Sequence, residues 1–456
     1  MLMFRSASLV LLLFVLPAAH AEETTNEASF RELRTFVEAY NLIAEKFADT
    51  SRLQPKTLLR GALNGMLESL GDPHTRALSA WYGEDLSGEF SGVGIHIGME
   101  QGRLIVVSAI EGSPAWRGGV EAGDMIMAVD GKSADTWTLD DAVTNLRGPV
   151  GSGVTLDVKR AGRNEVIRLP LLRDLIRIRS VRHALHGNIG YIRISQFNER
   201  TAEQLDEALA ALGQKKVRAL ILDLRDNPGG VLSSATDVAN RFIGDGVLVS
   251  VVSRDPRQTR IYNASPGVAA TRLPLAVLIN KGSASAAEIV CGAIQDHKRG
   301  VIIGTKTYGK GSVQSVETLP DRSKIALTTA RYVTPAGRFL HGIGLQPDSG
   351  MLVDVPEPTD TELKILQALT ETSILREFAG KKTEYSEADI DQLARLAEAA
   401  GLDVPRTLLE RRYIAELSRR NENKIFLVPA LDPALKKAID VLNAAERLAD
   451  HSASIR

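Results

Sequence analysis

The sequence predicts an α/β protein built from several domains, and three observations lead to this class. The chain has 456 residues, enough for two to four domains at about 150 residues each. Its hydrophobic content of 44% and charged content of 24% are those of an ordinary globular protein. The pattern along the chain changes from helical periodicity (22–83) to short glycine-punctuated strands (84–172), then to alternating strands and helices (173–355), and ends helical (356–456).

Charge and cysteine content exclude several classes of protein. The 55 Lys and Arg residues balance 56 Asp and Glu residues, and the formal net charge is −1. No basic field therefore exists to collect nucleic acid or anionic lipid. The only cysteine, Cys291, excludes an internal disulfide and a cysteine-based zinc site. Its apolar neighbours indicate an inert thiol in a buried helix, and no metal ion or other cofactor is expected.

The first 21 residues have the pattern of a secretory signal peptide. Arg5 precedes an apolar stretch through Leu16, Pro17 interrupts it, and a small-x-small sequence ends at Ala21. The stretch is too short for a membrane anchor, which needs about 20 apolar residues. We therefore expect cleavage after Ala21 and export to the periplasm.

Helical periodicity marks both ends of the remaining chain. Apolar residues recur at helical spacing in residues 30–44, and a second helical segment at 58–70 ends before Gly71-Asp72-Pro73. Near the C-terminus, Ser386 opens a capping box and Asp432-Pro433 begins another helix. Such helices pack either within the chain or on another copy, and we expect a homo-oligomer through the terminal helices.

The glycine-punctuated region contains several short motifs in a fixed order. They are Gly92-Val93-Gly94-Ile95, the strand at 104–107, Gly112-Ser113-Pro114-Ala115, the segment 118–126 and the turn at 129–132. The first motif alone fits a simple hairpin bend, but the whole order resembles a PDZ domain. Successive N–H groups of the first motif can bind a peptide carboxylate, and the strand after it offers an edge to an extended peptide.

The region 173–355 predicts a covered sheet. Strands are predicted at 189–194, 217–224, 275–279 and 301–303, and an amphipathic helix at 201–212. Alternation of strands with helices is typical of a sheet covered by helices.

A serine between a buried strand and a helix is the first candidate catalytic residue. Small residues from Gly282 to Ala287 leave room around Ser285, and free N–H groups at a helix start can stabilise an oxyanion. Ser283 is an alternative nucleophile from the sequence alone. A serine needs a base to take its proton, and six histidines stand in no triad motif. They are His74, His96, His183, His186, His297 and His341.

Lysine is the better candidate base. Lys310 lies between two glycines ahead of an alternating strand, and burial can leave a lysine amine uncharged near neutral pH. In an extended segment Gln314 lies on the same face as Lys310, where a neutral amide can orient the amine. Taken alone, a lysine between two glycines is usually a solvated loop residue. The neighbouring motif residues are what favour a catalytic role for Lys310.

These motifs resemble the carboxyl-terminal processing proteases, a family of Ser–Lys peptidases. The matching segments are Asn280-x-Gly282-Ser283-Ala284-Ser285-Ala286-x-Glu288-Ile289, Tyr308-Gly309-Lys310-Gly311-x-Val313-Gln314, Gly71-Asp72-Pro73-His74-Thr75, the PDZ-like segment, Leu222-Asp223-Leu224-Arg225-x-Asn227-Pro228-Gly229-Gly230, Arg331-Tyr332-x-Thr334-Pro335-x-Gly337-Arg338 and Gly342-x-Gly344-Leu345-x-Pro347-Asp348. Residues 356–431 depart from the family pattern as a long insertion.

The resemblance implies a fold, a function and partners. The fold is a crotonase-like core with an inserted PDZ domain and flanking helices. The function is that of an exported serine endopeptidase that recognises protein C-termini and processes or degrades envelope proteins through an acyl-enzyme. Substrates are proteins with accessible C-terminal tails, and an adaptor lipoprotein is a further expected partner. Arg168 or Arg173 would link the PDZ domain to the peptide groove.

The resemblance also assigns roles to single residues. Ser285 is the expected nucleophile, Lys310 the general base and Gln314 its orienting partner. The backbone N–H of Ala286 and one from the pair Gly229-Gly230 are the expected oxyanion donors.

Two alternative functions conflict with other features of the sequence. A non-catalytic PDZ scaffold on a degenerate protease fold conflicts with the complete set of polar residues. An acyl-CoA hydratase or isomerase conflicts with the export signal and the PDZ-like segment, because CoA is a cytosolic cofactor.

Overall fold

The computed structural model describes most of the chain. The described residues are 20–78, 84–100, 102–110, 112–121, 123–160, 163, 165–321, 323–354, 359–372, 374–420 and 424–454. Residues 1–19 of the predicted signal peptide lie outside them. The chain divides into two compact units, Met1–Ala77 and Leu78–Arg456, and each is described by itself.

The first unit is helical, as predicted. Its elements are α1 (His20–Lys46), a 3₁₀ helix (Thr50–Arg52) and α2 (Pro55–Glu68), followed by the short strand β1 (Arg76–Leu78). Pro55 stands at the first helical position of α2, where its missing N–H costs no hydrogen bond. The apolar stripe of α1 is exposed, with Phe30 at 72% and Leu33 at 59%. This stripe is therefore not part of the core of the single chain.

The next region is a small antiparallel sheet with short helices. Its elements are α3 (Glu84–Ser87), β2 (Glu89–Gly92), β3 (Ile95–Glu100), β4 (Arg103–Ala109), α4 (Pro114–Arg117), β5 (Met125–Val129), β6 (Lys132–Ser133), α5 (Leu139–Leu146), β7 (Gly153–Lys159), β8 (Val166–Leu172) and β9 (Asp174–Arg177). The strand order is β3-β4-β5-β7-β8, and β6 pairs with β5. Strand β3 thus forms one edge of the sheet, which is the geometry expected of a peptide-binding edge.

A two-stranded ribbon joins this sheet to the rest of the unit. The incoming strand β2 pairs antiparallel with the outgoing strand β9, with Glu89 opposite Arg177 and Gly92 opposite Asp174. Both connections of the small sheet therefore run through one narrow element.

The large α/β region carries the predicted strands and helix. Its elements are β10 (Val181–His186), β11 (Ile189–Ile194), α6 (Thr201–Gln214), β12 (Ala219–Asp223), α7 (Leu232–Asn240), β13 (Val247–Ser253), a 3₁₀ helix (Pro256–Gln258), β14 (Arg260–Asn263), β15 (Leu275–Ile279), α8 (Ala286–Asp296), β16 (Val301–Gly304), β17 (Ser312–Thr318) and β18 (Lys324–Val333). The first sheet has the order β10-β11-β12-β15-β16. A second, antiparallel arrangement pairs β17 with β18, β18 with β13, and β13 with β14.

The first sheet is covered on both faces, as the alternation predicted. One face packs against α6, α7 and α8 through Leu205, Val238 and Val290. The other face packs against α13 (Pro433–Ser454), which inserts Leu435 and Leu442. Strands β11, β12, β15 and β16 are parallel, so their carboxyl ends share one edge, where α/β proteins place their sites.

The insertion between the large region and α13 forms a helical cluster of its own. Its helices are α9 (Asp360–Glu371), α10 (Ile374–Ala379), α11 (Glu387–Ala399) and α12 (Arg406–Arg420). Their buried faces meet in a separate apolar core that includes Phe378, Leu393 and Tyr413. Ser386 caps α11 by accepting the N–H of Asp389, as predicted. Within the described part of the chain no helix combines the length and apolar character needed to cross a bilayer.

Candidate active site

Ser285 occupies a strained turn between β15 and α8. Its backbone has φ 54° and ψ −115°, a conformation that non-glycine residues rarely adopt and that costs about 1–3 kcal/mol. Sharp strand-to-helix turns of this kind project a nucleophilic serine from the end of a strand. The side chain is half-buried, so the hydroxyl is not sealed in the core.

Ser283, the alternative nucleophile, is fully buried and its hydroxyl is occupied. The hydroxyl donates to the carbonyl oxygen of Leu224 at 2.7 Å and accepts the N–H of Asn280 at 3.0 Å. These bonds join the ends of β12 and β15. The structure therefore gives Ser283 a role in shaping the turn.

A buried carboxylate, Glu288, joins the Ser285 turn to the Lys310 loop. Its Oε2 atom accepts the backbone N–H of Ser285 at 2.9 Å and that of Lys310 at 2.8 Å. Its Oε1 atom accepts the hydroxyl of Thr307 at 2.5 Å and the N–H of Gly309 at 2.8 Å. Since one oxygen binds both amides, the backbones of Ser285 and Lys310 are held as neighbours.

Burial governs the ionisation of Glu288. The carboxyl is completely buried, and this burial raises its pKa, although the donors Thr307, Ser285, Gly309 and Lys310 act in the opposite direction. Four donors are best satisfied by a carboxylate, because protonation turns one oxygen into an O–H donor with less capacity to accept. The four donors therefore favour the charged form of Glu288, whereas burial favours its neutral form.

The loop that carries Lys310 follows β16 and is packed closely against residues 340–344. A Cβ atom on Gly309 would lie 2.8 Å from the nitrogen of Gly344, and one on Gly311 would lie 2.5 Å from the nitrogen of His341. Both glycines thus allow a backbone approach that larger residues would block. Lys310 itself is half-buried.

Gln314 of β17 lies at a register shift between β17 and β18. The register between β17 and β18 shifts between Val313 and Gln314, where Thr329 of β18 has no partner residue on β17. The Gln314 amide nitrogen donates to the hydroxyls of Ser312 at 2.9 Å and Thr328 at 3.2 Å. These bonds fix the amide beside the Lys310 loop.

Gly229 and Gly230 bring a second loop against Ser285. A Cβ on Gly229 would lie 2.7 Å from the Cβ of Ser285 and 2.9 Å from the nitrogen of Ala286. Both glycines have positive φ values, 101° and 139°, which side chains disfavour. The Gly229 N–H donates to Asn227 Oδ1. Within the described residues, the N–H groups of Gly230 and Ala286 donate to no protein acceptor.

Sequence reasoning missed two residues that organise this site. Glu288 accepts four hydrogen bonds, and the Ser-x-x-Glu capping-box pattern at Ser285 could have revealed its contact with the turn. Asn227 accepts the Gly229 N–H and donates to the carbonyl oxygen of Ile194 at 2.9 Å. No local pattern in the sequence identifies that contact, because its partners come from different strands.

The PDZ-like sheet contains a groove beside its edge strand. Gly92, Val93, Gly94 and Ile95 line a cavity of about 380 Å³, with Leu146 of α5 on the opposite side. This arrangement places the predicted carboxylate-binding backbone at one end of an apolar groove.

The two arginines expected to link the PDZ domain to the peptide groove, Arg168 and Arg173, contact groups of the small sheet and its helix. Arg168 is largely exposed and pairs with Asp157 at 2.9 Å. Arg173 is buried and donates to the carbonyl oxygens of Asn145 and Leu146 at the end of α5. These contacts hold strands and helix within the small sheet.

Comparison with known proteins identifies the family. Residues 188–351 match peptidase family S41, residues 105–160 match the PDZ domain, and residues 16–79 match the activating protease CtpB N-terminal domain. A carboxy-terminal-processing protease of Bartonella bacilliformis is 38% identical over 364 residues, which cover 78% of this chain and 81% of that protein. A carboxyl-terminal-processing protease of Synechocystis is 38% identical over 298 residues, covering 63% and 69%.

Solved structures include a photosystem II D1 C-terminal processing protease, with 31% identity and a TM-score of 0.42 over 72% of this chain and 94% of that one. A putative S41 protease from Bacteroides fragilis has 16% identity and a TM-score of 0.43, over 80% and 97%.

The chain belongs to the carboxyl-terminal-processing proteases of peptidase family S41. It is a serine-type peptidase with a PDZ domain, a module that binds the C-termini of proteins. The predicted family and the predicted fold class, an α/β peptidase core with an inserted PDZ domain, are confirmed. Family membership argues against the scaffold and the acyl-CoA enzyme as alternatives.

Proposed function

We propose that the enzyme cleaves peptide bonds by a Ser–Lys mechanism with an acyl-enzyme intermediate. The observation that carries the proposal is the shared acceptor: Oε2 of Glu288 binds the N–H groups of both Ser285 and Lys310. An uncharged Lys310 amine takes the proton of the Ser285 hydroxyl as Oγ attacks the substrate carbonyl carbon. The resulting ammonium then protonates the leaving amine, and an attacking water uses Lys310 as base in the second half.

The oxyanion of each tetrahedral intermediate would be bound by two backbone N–H groups. Those of Ala286 and Gly230 suit the role, because neither has an acceptor among the described residues and the Gly229 N–H already has one. Donors fixed before the reaction stabilise developing charge without reorganisation. Gln314, held by Ser312 and Thr328, is proposed to orient the Lys310 amine.

Substitution of the two catalytic residues tests the mechanism. Ser285→Ala and Lys310→Ala are each expected to abolish cleavage of an unstructured protein with an apolar C-terminus. Lys306→Ala is the matched control, since Lys306 lies exposed in the same loop, and it is expected to retain activity. Undiminished cleavage by purified Lys310→Ala enzyme would refute the Ser–Lys mechanism.

Substrate capture is proposed to begin at the PDZ groove. The backbone N–H groups from Gly92 to Ile95 would bind the terminal carboxylate, while the peptide pairs with edge strand β3. A fluorescent peptide with a free C-terminus is expected to bind more tightly than the same peptide with an amidated C-terminus. Equal affinities in an anisotropy titration would argue against carboxylate recognition.

We propose that the enzyme works in the periplasm after removal of residues 1–21. The pattern of these residues supports export. N-terminal sequencing of the mature protein is expected to begin at Glu22, with the protein in the periplasmic fraction. The proposed division of the mature chain is 22–83, 84–172, 173–355 and 356–456.

Assembly is proposed to use the exposed stripe of α1. Phe30, Leu33 and Phe36 are 72%, 59% and 47% exposed, and such a contiguous apolar face marks an interaction surface. A Leu33→Glu variant is expected to sediment as a monomer, whereas the parent chain forms a homo-oligomer. An adaptor lipoprotein is a further proposed partner, to be sought by co-purification with the Ser285→Ala enzyme.

A further inference from the structure

One buried hydroxyl beside the site takes part in none of the interactions described above. Tyr332 of β18 is 2% exposed, and its Oη atom has no hydrogen-bond partner among the described residues. A buried hydroxyl without a partner costs about 1–3 kcal/mol. The fold alone therefore gains nothing from this oxygen, and phenylalanine would fill the same space at lower cost.

The backbone of Tyr332 connects the Lys310 loop to the turn of Ser285. The Tyr332 N–H donates to the carbonyl oxygen of Gly311, next to Lys310, at 3.1 Å. The ring belongs to the same apolar cluster as Ala286 and Ala287, the first residues of α8. Strand β18 and the loop after it also hold this helix, because a Cβ on Gly292 would lie 2.9 Å from a methyl group of Thr334. The backbone of Tyr332 thus adjoins the Lys310 loop, and the chain just after Tyr332 packs against α8.

Two side chains of the site, those of Glu288 and Ser285, influence the ionisation of the Tyr332 hydroxyl. Burial raises the pKa of Tyr332 well above its ordinary value, the charge of Glu288 raises it further, and an interaction with the Ser285 side chain lowers it. The hydroxyl is therefore protonated at neutral pH and can act as a hydrogen-bond donor but not as a base. In this structure the Tyr332 hydroxyl and the Ser285 side chain do not form a hydrogen bond of normal geometry.

We propose that Tyr332 is a further catalytic residue, whose hydroxyl donates a hydrogen bond to Ser285 Oγ during the reaction. As Oγ loses its proton to Lys310, negative charge grows on Oγ, and a donor in this water-poor pocket stabilises it. The same bond stabilises Oγ when it leaves the acyl group in the second half. Tyr332 keeps its own proton throughout. The inference rests on the proposed Ser–Lys mechanism, because it requires Ser285 as nucleophile.

The test is the Tyr332→Phe enzyme, which lacks only the hydroxyl. We expect kcat and the rate of Ser285 labelling by a fluorophosphonate to fall about 100- to 1,000-fold, with KM unchanged. The melting temperature is expected to stay the same or rise, because an unpartnered buried hydroxyl has been removed. Lost activity together with unchanged or increased stability is a combination that a purely structural role does not produce.

The matched control is Tyr413→Phe, in the buried core of the helical insertion. Its hydroxyl contacts Asp389 at 3.3 Å, so this variant is expected to lose some stability and keep its kcat. A Tyr332→Phe enzyme with the kcat and labelling rate of the parent would overturn the inference. If Tyr332→Phe fails to fold, Tyr332 is replaced by 3-fluorotyrosine, which keeps the ring and makes its hydroxyl more acidic. A changed kcat would then support the inference, and an unchanged kcat would refute it.

The Ser285→Ala enzyme separates this inference from the proposed mechanism. Cleavage by Ser285→Ala enzyme would refute the mechanism and the inference together. An inactive Ser285→Ala enzyme beside a fully active Tyr332→Phe enzyme would refute only the role of Tyr332.

Discussion

At the residue scale, the buried carboxylate of Glu288 organises the site, although it takes no chemical step in the proposed mechanism. Glu288 reaches no substrate in the proposed mechanism, yet it orders the backbone of the nucleophile and of the base through one oxygen atom. A serine in a left-handed conformation persists only where its surroundings enforce it, and the Glu288 carboxylate is part of that enforcement. The precise placement of the Ser285 hydroxyl therefore depends on the charge of a residue outside the reaction.

The first prediction concerns this charge. In Glu288→Gln, one carboxylate oxygen becomes an NH₂ group that faces N–H donors, and each amide left without an acceptor costs about 1–3 kcal/mol. We expect a lower melting temperature and a loss of kcat of about 100-fold or more, as misplacement of reacting groups produces. Calorimetry and peptidase assays measure the two effects.

The pH dependence follows from the same residue. Because burial raises the pKa of Glu288, its proton returns at a higher pH than for an ordinary glutamate, and the hydrogen bonds to the carboxylate weaken as pH falls through that raised value. Activity is thus expected to decline on the acid side above the usual glutamate range. Protonation of the Lys310 amine also lowers activity on the acid side in both enzymes. Residual activity of Glu288→Gln should therefore fall less steeply with acid than that of the parent, and an identical profile in both enzymes would contradict the assignment.

The second prediction concerns Gly229. In Gly229→Ala the new methyl group would lie 2.7 Å from Ser285 Cβ, so the turn must shift, and we expect kcat to fall about 100-fold. Gly267→Ala is the control, because Gly267 has a similar positive φ of 81° but nothing within 4 Å of the new atom. Both variants bear backbone strain, and only the first should lose peptidase activity. Equal activities would show that the contact is unimportant.

At the element scale, the strands and helices with a strong local pattern were predictable. Strand β15 is entirely apolar and fully buried, and α8 follows it after small residues that permit a sharp turn. The predicted burial of Cys291 in α8 is confirmed. The register shift between β17 and β18, which leaves Thr329 of β18 unpaired, was not predictable. A bulge depends on how the two strands pair and leaves no fixed residue pattern.

The third prediction belongs to the helical insertion. Leu417 of α12 is completely buried in the separate apolar core of α9 to α12, and Leu417→Ala is expected to cost about 2–5 kcal/mol. Hydrogen exchange in 360–420 should accelerate while exchange in β15 is unchanged. Leu396→Ala on α11 is the control, since Leu396 is 43% exposed. Faster exchange throughout the chain would show that the insertion does not unfold as a separate cluster.

At the scale of the whole second unit, the insertion contacts the PDZ-like sheet. The guanidinium of Arg376 on α10 lies over Gly123, where a Cβ would be only 2.2 Å from one of its nitrogens. Beside this contact a cavity of about 330 Å³ separates helix α10 from strand β4. The ribbon of β2 and β9 is the covalent connection of the sheet to the large region. A narrow two-stranded connection between packed regions is an arrangement suited to domain motion.

The fourth prediction follows from this contact. Arg376→Ala is expected to speed hydrogen exchange in residues 103–129 and to alter the cleavage rate of long-tailed protein substrates, with little change in melting temperature because Arg376 is half-buried. Arg395→Ala on α11, an exposed arginine of the same insertion, should have neither effect. If exchange in the PDZ-like sheet is the same in both variants, Arg376 does not restrain it.

Local patterns of apolar, small and glycine residues were enough to predict the family and the order of helical and strand-rich regions. The same patterns selected Ser285 and Lys310 as candidate nucleophile and base. The packed structure was needed to show that Glu288 joins Ser285 to Lys310 and that the Ser283 hydroxyl donates to Leu224. It was also needed to show that the buried Tyr332 hydroxyl has no hydrogen-bond partner among the described residues. Each of these depends on groups from different strands meeting at one sheet edge. Long-range contacts of this kind arise when the chain packs, and periodicity along the sequence does not encode them.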